Sequence, residues 1–158
     1  MSGVHNSSIR SRGPFGWESA GHPGPTQPLG CSTMARIVTH RQAAAAVAAW
    51  RQVSDQPGAP DRDRVAAAVR ASLRWLAQAH PGKAVEIRVP PYAAVQAMGG
   101  LSHTRGTPPN VIETDPATWL ALVVGTVSWA DALGDGRVSA SGTRADLSAL
   151  LPLTDLTG

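Results

Sequence analysis

Apolar residues first recur at helical spacing where Ala43, Val47 and Trp50 fall on one face of a segment ending near Ser54. Thr39, with Gln42 three residues on, forms a capping box that opens this helix, and the run QPGAP from Gln56 to Pro60 breaks it. A second stripe, Val65, Val69, Leu73 and Leu76, predicts a helix from near Asp61 to His80, where Pro81-Gly82 stops it. The period then shortens to two. Between Lys83 and Val89, Val85, Ile87 and Val89 alternate with Ala84, Glu86 and Arg88, as on a half-buried strand. Pro90-Pro91 bends the chain into a second strand, Tyr92 to Met98, which ends at Gly99-Gly100 and makes a hairpin-like pair with the first. Leu101 to Pro109 is a loop by composition, and Asn110 to Thr114 is a short third strand.

The last third is punctuated by helix signals. Asp115 followed by Pro116 supplies a capping carboxylate and a preset first helical residue, and the stripe Trp119, Leu120, Val123, Val124 ends at Gly125. Ser128 with Asp131 opens a short helix that closes at Gly134 and Gly136, and Arg137 to Ser141 forms a fourth strand. Thr143 with Asp146 is read as the cap of a final helix carrying Leu147, Leu150 and Leu151. Two helices, three strands, two helices, one strand and one helix predict an α+β domain with a largely antiparallel sheet covered by helices. Residues 1–33 hold six glycines, four prolines and six serines with no periodic apolar pattern. Such a segment cannot offset its ordering entropy by burial, so it is expected to be a disordered extension, with the domain spanning 34–158.

Composition narrows the function. The 158 residues are 42% apolar, enough to close one hydrophobic core. Net charge is only +3, and thirteen of the fourteen basic residues are arginines spread along the chain, so no nucleic-acid stripe is expected. Arg62, Arg64, Arg70 and Arg74 form the densest group and read as the solvated face of one helix. No apolar run approaches the roughly 18 residues of a membrane span, and the first 33 residues lack the apolar core of a signal peptide. The single cysteine, Cys31, has no disulfide partner within the chain. A cytoplasmic protein is expected. The five histidines are isolated, His5 and His22 lie in the extension, and neither metal-ligand spacing nor a nucleophile–base order is present. No metal, cofactor or enzymatic activity is expected.

Three stretches, PPYAAVQAMGG, HTRGTPPNVIETDPATWLAL and SWADALGDGRVSASGTRADLSALLPL, together resemble the sterol carrier protein family, in its small actinobacterial branch, over roughly Met34 to Leu153. Asp115, Gly125, Gly136, Arg137 and Gly142 stand where that family has an acidic helix start, a glycine helix end and a Gly-basic-strand-Gly unit. The resemblance implies a curved sheet covered by helices, with an apolar tunnel between them that holds lipids, sterols or acyl chains in characterised relatives. Similar domains form the C-terminal part of mycothiol-dependent maleylpyruvate isomerases, whose metal lies in a separate helical domain. Only His40 and His80 occur between Met34 and Lys83, too few for its three-histidine site, so isomerase activity is not expected. The peroxisomal address of eukaryotic carriers is not found at Leu156-Thr157-Gly158.

The expected function is therefore binding of an apolar or amphiphilic small molecule, without catalysis. Ile87, Val95, Trp119, Leu120, Val124, Trp129, Leu133, Leu147 and Leu151 are the candidate lining residues, although stripes at helical spacing more often fill a plain core. His103 and Arg105, beside Thr104, Gly106 and Thr107, are candidates to hold an anionic head group; alternatively Gly106 shapes a turn and Arg105 pairs with Glu113 or Asp115. Glu86 and Arg88 read as a structural pair on the sheet's polar face. A competing expectation is a protein-interaction module that kept the fold without a tunnel. Met34 is expected to be the natural start, so intact-mass measurement on protein from its native source should show a species beginning there, and one beginning at Met1 would refute this.

Overall fold

A computed structural model describes residues 37–54, 56–100 and 110–157. The expected disorder of residues 1–33, Cys31, Met34 and the whole loop carrying His103 and Arg105 lie outside the described residues. α1 (His40–Ser54) begins at the expected capping box: Thr39 N–H donates to Gln42 Oε1 at 2.9 Å and Gln42 N–H to Thr39 Oγ1 at 3.3 Å. α2 (Arg62–Ala79) is capped by Asp61, whose carboxylate accepts from the N–H groups of Asp63 and Arg64, both at 3.1 Å. The Gln78 amide closes the pair, accepting from Val38 N–H and donating to Val38 C=O, both at 2.8 Å. α1 buries only Ala43 and Val47, while α2 buries Ala66, Ala68, Val69, Ser72, Leu73 and Leu76. The expected stripe on α2 is present, and small residues beside it let neighbouring elements approach.

Four strands make one open sheet in the order β2 (Ala93–Ala97), β1 (Val85–Val89), β3 (Val111–Thr114), β4 (Val138–Ser141). The outer pairings are antiparallel, as expected, but β1 and β3 run parallel, so the sheet is mixed. Buried Asn110 sits at the origin of this arrangement. Its side-chain N–H donates to Ala84 C=O at 2.8 Å, its backbone C=O accepts from Glu86 N–H at 3.0 Å, and its Oδ1 accepts from Arg144 N–H at 3.0 Å. One residue thus ties the starts of β1 and β3 to the turn after β4. The register puts Ile87, Val95, Ile112 and Ala140 on one face, and Arg88, Ala94, Glu113 and Ser139 on the other. The first set is buried or half-buried in the core, and the second is exposed apart from half-buried Arg88, which pairs with Glu86 as the alternation predicts.

α3 (Pro116–Val124) starts at Asp115 and ends at Gly125, whose φ of 79° is the left-handed conformation that closes a helix. α4 (Trp129–Gly134) is capped by Ser128, as its spacing with Asp131 predicts. The expected helix from Thr143 does not form. Asp146 instead accepts from Ser148 N–H at 2.8 Å in a local turn, and Leu147 C=O accepts from the N–H groups of Leu150 and Leu151 for a single helical turn. Pro152 removes the next donor and disfavours a helical residue before it, and one turn is too short to nucleate alone. Leu153 N–H donates to Val123 C=O at 3.0 Å, which fastens this segment to α3 before α5 (Thr154–Thr157).

The helices and the sheet meet over a single apolar layer that contains Leu73, Leu76, Ile87, Ile112, Trp119, Leu122 and Leu147, all at most 1% exposed. Its one large polar demand is the indole N–H of Trp119, which donates to Ser72 Oγ at 2.9 Å; Ser72 donates in turn to Ala68 C=O at 2.8 Å. Ser72→Ala leaves the buried indole without an acceptor and is expected to lower unfolding free energy by about 1–3 kcal/mol. Urea unfolding should show a lower midpoint with an unchanged slope, and Trp119→Phe should cost less in the Ser72→Ala background than in the wild type. An unaltered midpoint for Ser72→Ala would count against this assignment.

Candidate functional site

Near its end α1 carries a bulky residue that is only partly buried against the core. Trp50 stands in the last turns of α1, and the connection to α2 runs through Gly58, Ala59 and Pro60; Gly58 has a φ of 139° and open space where a side chain would stand. Across the gap, α3 is nearly all apolar and turns Trp119, Leu122 and Val123 to the core. Its half-buried side, Ala121 and Val124, faces Trp50, Val53 and Val65 across an open cleft of about 730 Å³, while Leu120 is fully buried like the core residues of the helix. That volume lies within the ~300–1,000 Å³ span of small-molecule sites.

Tyr92 forms part of the wall, in the turn where its N–H donates to Val89 C=O at 3.0 Å. Arg70 holds it there, donating through Nε to Tyr92 C=O at 3.2 Å with its guanidinium 5.9 Å from the ring centre. The polar lining is built mainly from helix ends. Asp61 caps α2 and pairs with Arg64 at 3.0 Å, while Asp115 caps α3. Asp115 Oδ1 accepts from the N–H groups of Ala117 at 2.9 Å and Thr118 at 3.0 Å, and Oδ2 accepts from Thr118 Oγ1 at 2.6 Å. Partial burial raises the pKa of this carboxyl, but the three hydrogen bonds outweigh it and hold the group below the ordinary aspartate range. Arg51 and Arg62 complete the charged groups at the cleft.

Of the expected lining residues, half-buried Val124 lines this cleft, and Leu120 adjoins it from within the core with no exposed surface. Ile87, Trp119 and Leu147 are fully buried in the core, with Trp129 9% exposed beside them. Val95 and Leu151 are half-buried against that core, and Leu133 is 44% exposed on α4. His103 and Arg105 fall outside the described residues. Sequence reasoning assigned Trp50, Val65 and Tyr92 to helix or strand patterns rather than to a site. The available signal was a tryptophan followed within ten residues by the Gly-Pro breaker.

A second cleft, of about 300 Å³, lies between α2 and the C-terminal segment, beside Trp75, His80, Leu150 and Asp155. Asp155 is already engaged there: its carboxylate accepts from Trp75 Nε1–H at 2.6 Å, and its C=O lies 2.6 Å from His40 Nε2. Among the described residues no group of three His, Cys, Asp or Glu stands together, and no helix is long and apolar enough to cross a membrane.

Residues 61–153, from the cap of α2 through Leu153, match a protein-family model described as bacterial SCP ortholog, SCP denoting sterol carrier protein. No protein of curated function matches the chain significantly.

Because Asp115 is held below its unfolded pKa, it adds stability that is present above about pH 4 and lost as pH falls through its folded value. Asp115→Asn should therefore flatten the acid limb of the stability curve. The chemical-denaturation midpoints of variant and wild type are expected to converge between about pH 4 and pH 2; parallel curves through that window would show that the capping carboxylate does not carry the effect.

Proposed function

The chain belongs to the bacterial sterol-carrier-like family, and from that premise we propose that it binds one apolar or amphiphilic small molecule, without catalysis, in the cleft between the α1–α2 connection and α3. The observation that carries this reading is the apolar wall of half-buried Trp50, Val53, Val65, Tyr92 and Val124 around about 730 Å³ of space. An acyl chain laid along that wall gains about 0.8 kcal/mol per buried CH₂, so affinity needs no elaborate polar recognition. The carboxylates at the cleft serve as helix caps, which suits a binding site better than acid–base chemistry.

The cleft is open along one side, and this favours a second reading in which it receives a segment of a partner protein. The two separate experimentally. Protein purified without denaturant is expected to carry one lipid-sized ligand in native mass spectrometry. Ala121→Trp, which fills the cleft from a half-buried position on α3, should abolish that species while leaving the far-ultraviolet circular dichroism unchanged. Retention of the ligand by a folded Ala121→Trp variant would remove the cleft from consideration; a stoichiometric protein partner with no lipid would establish the second reading.

A further inference from the structure

Asp155, on α5, joins the start of α1 to α2. Its carboxylate accepts from Trp75 Nε1–H on α2 at 2.6 Å, and its C=O lies 2.6 Å from Nε2 of His40, the first residue of α1. A carbonyl oxygen only accepts, so the imidazole nitrogen is the donor. The rings of His40 and Trp75 close the group edge to face, with their centres 5.4 Å apart. Asp155 is itself fixed in place: Leu153 and Leu156 to either side of it are buried, and Leu153 N–H donates to Val123 C=O on α3.

The helix fastened in this way has a thin hold on the rest of the domain. α1 packs chiefly on α2 and α5, with neither the sheet nor α3 among its principal neighbours. It buries only Ala43 and Val47, with Ala44 and Trp50 half-buried beside them, whereas α2 buries Val69, Leu73 and Leu76. Polar ties gather at its start, where Gln78 makes two bonds to Val38 and Asp155 meets His40; further along, Arg64 Nη1 donates to Ala49 C=O at 3.3 Å. Beyond its other end, residues 56–60 are exposed throughout, and Gly58 has a φ of 139°. Such a connection absorbs rotation, and a helix with few buried apolar contacts opens at lower free energy than the core it covers.

We propose that α1 is a detachable cover, hinged at residues 56–60 and latched at its start by Asp155, which swings away from α2 as a unit while the sheet and the other helices stay folded. Trp50 and Val53 travel with α1, so the motion withdraws one wall of the cleft from Val124. The latch sits at the opposite end of α1 and does not line the cleft. The C-terminal segment thereby sets how often the cleft widens. This goes beyond the binding reading and holds whether or not the cleft takes a ligand.

Hydrogen exchange of the full chain, read by peptide mass spectrometry and corrected for local sequence, separates opening of α1 from unfolding of the whole. Amides of residues 44–51 are expected to exchange as one set, about a hundredfold faster than those of β1. The open form and the unfolded chain have both lost the latch, so Asp155→Ala should speed exchange in α1 and in β1 by the same factor, about tenfold. Trp75→Phe, which removes the indole N–H, should also speed both, and should add less in the Asp155→Ala background than it does alone. Ser72→Ala, whose lost bond to Trp119 lies outside α1, should speed β1 and leave α1 unchanged. Each comparison uses variants whose far-ultraviolet circular dichroism matches the parent chain. Equal exchange in α1 and β1 would show that α1 leaves only with the whole domain, and α1 exchange indifferent to both Asp155→Ala and Trp75→Phe would show that it moves without breaking the latch; either result overturns the proposal.

Discussion

The hydrogen bond from the Trp119 indole to Ser72 is the contact around which the two layers are organised. An indole carries the largest apolar surface of any side chain together with one N–H that tolerates burial only with an acceptor. Ser72, buried on α2 and itself anchored to the turn before it, supplies that acceptor. The pairing fixes the approach and rotation of α3 on α2 and places Trp119 inside the apolar layer between helices and sheet. Leu73, Leu76, Ile87 and Ile112 occupy the same layer, each fully buried. Close packing of this kind turns the tryptophan into core, and the larger open space lies at the flank of α3 instead.

That displacement gives the cleft its character. Its apolar wall consists of residues left over when α3 has turned its bulkiest side chains inward, and of Trp50, which is only partly buried against the core. Its polar end consists of helix termini, where unpaired backbone groups demand caps and where charges gather for that reason. A cleft assembled from remainders and termini is amphiphilic.

Much of the architecture was legible because helix punctuation acts over three or four residues. Thr39 with Gln42, Asp61, Asp115 before Pro116, and Ser128 with Asp131 all cap the helices they announce, and each satisfies backbone donors within its own turn. The alternation around Ile87 likewise marks the face that is buried. Thr143 and Asp146 carry the same local signal and fail, because Pro152 and the tie from Leu153 to Val123 outcompete a one-turn helix. The parallel pairing of β1 with β3 was equally hidden: it is held by Asn110, whose partners Ala84 and Arg144 lie 26 and 34 residues away. Of the candidate lining residues, Val124 reaches the cleft, while Trp119, Leu120 and Leu147 are core, since helical spacing reports a shared face and not what that face meets.

By itself the sequence determined the caps, the stripe on α2, the buried face of the first strand and the α+β class, all consequences of backbone geometry and side-chain period along a short length of chain. The motifs between Pro90 and Leu153 pointed to the family that the match over residues 61–153 shows. Only the tertiary structure decided which apolar residues fill space and which border it, because that division depends on volumes contributed by elements distant in the chain: Ser72 against Trp119, and Trp50 across from Val124. It also decided which charges are spent. A capping aspartate such as Asp61 and one that holds an indole, as Asp155 does, look alike in a sequence, and they separate only when every donor and acceptor around them has been placed.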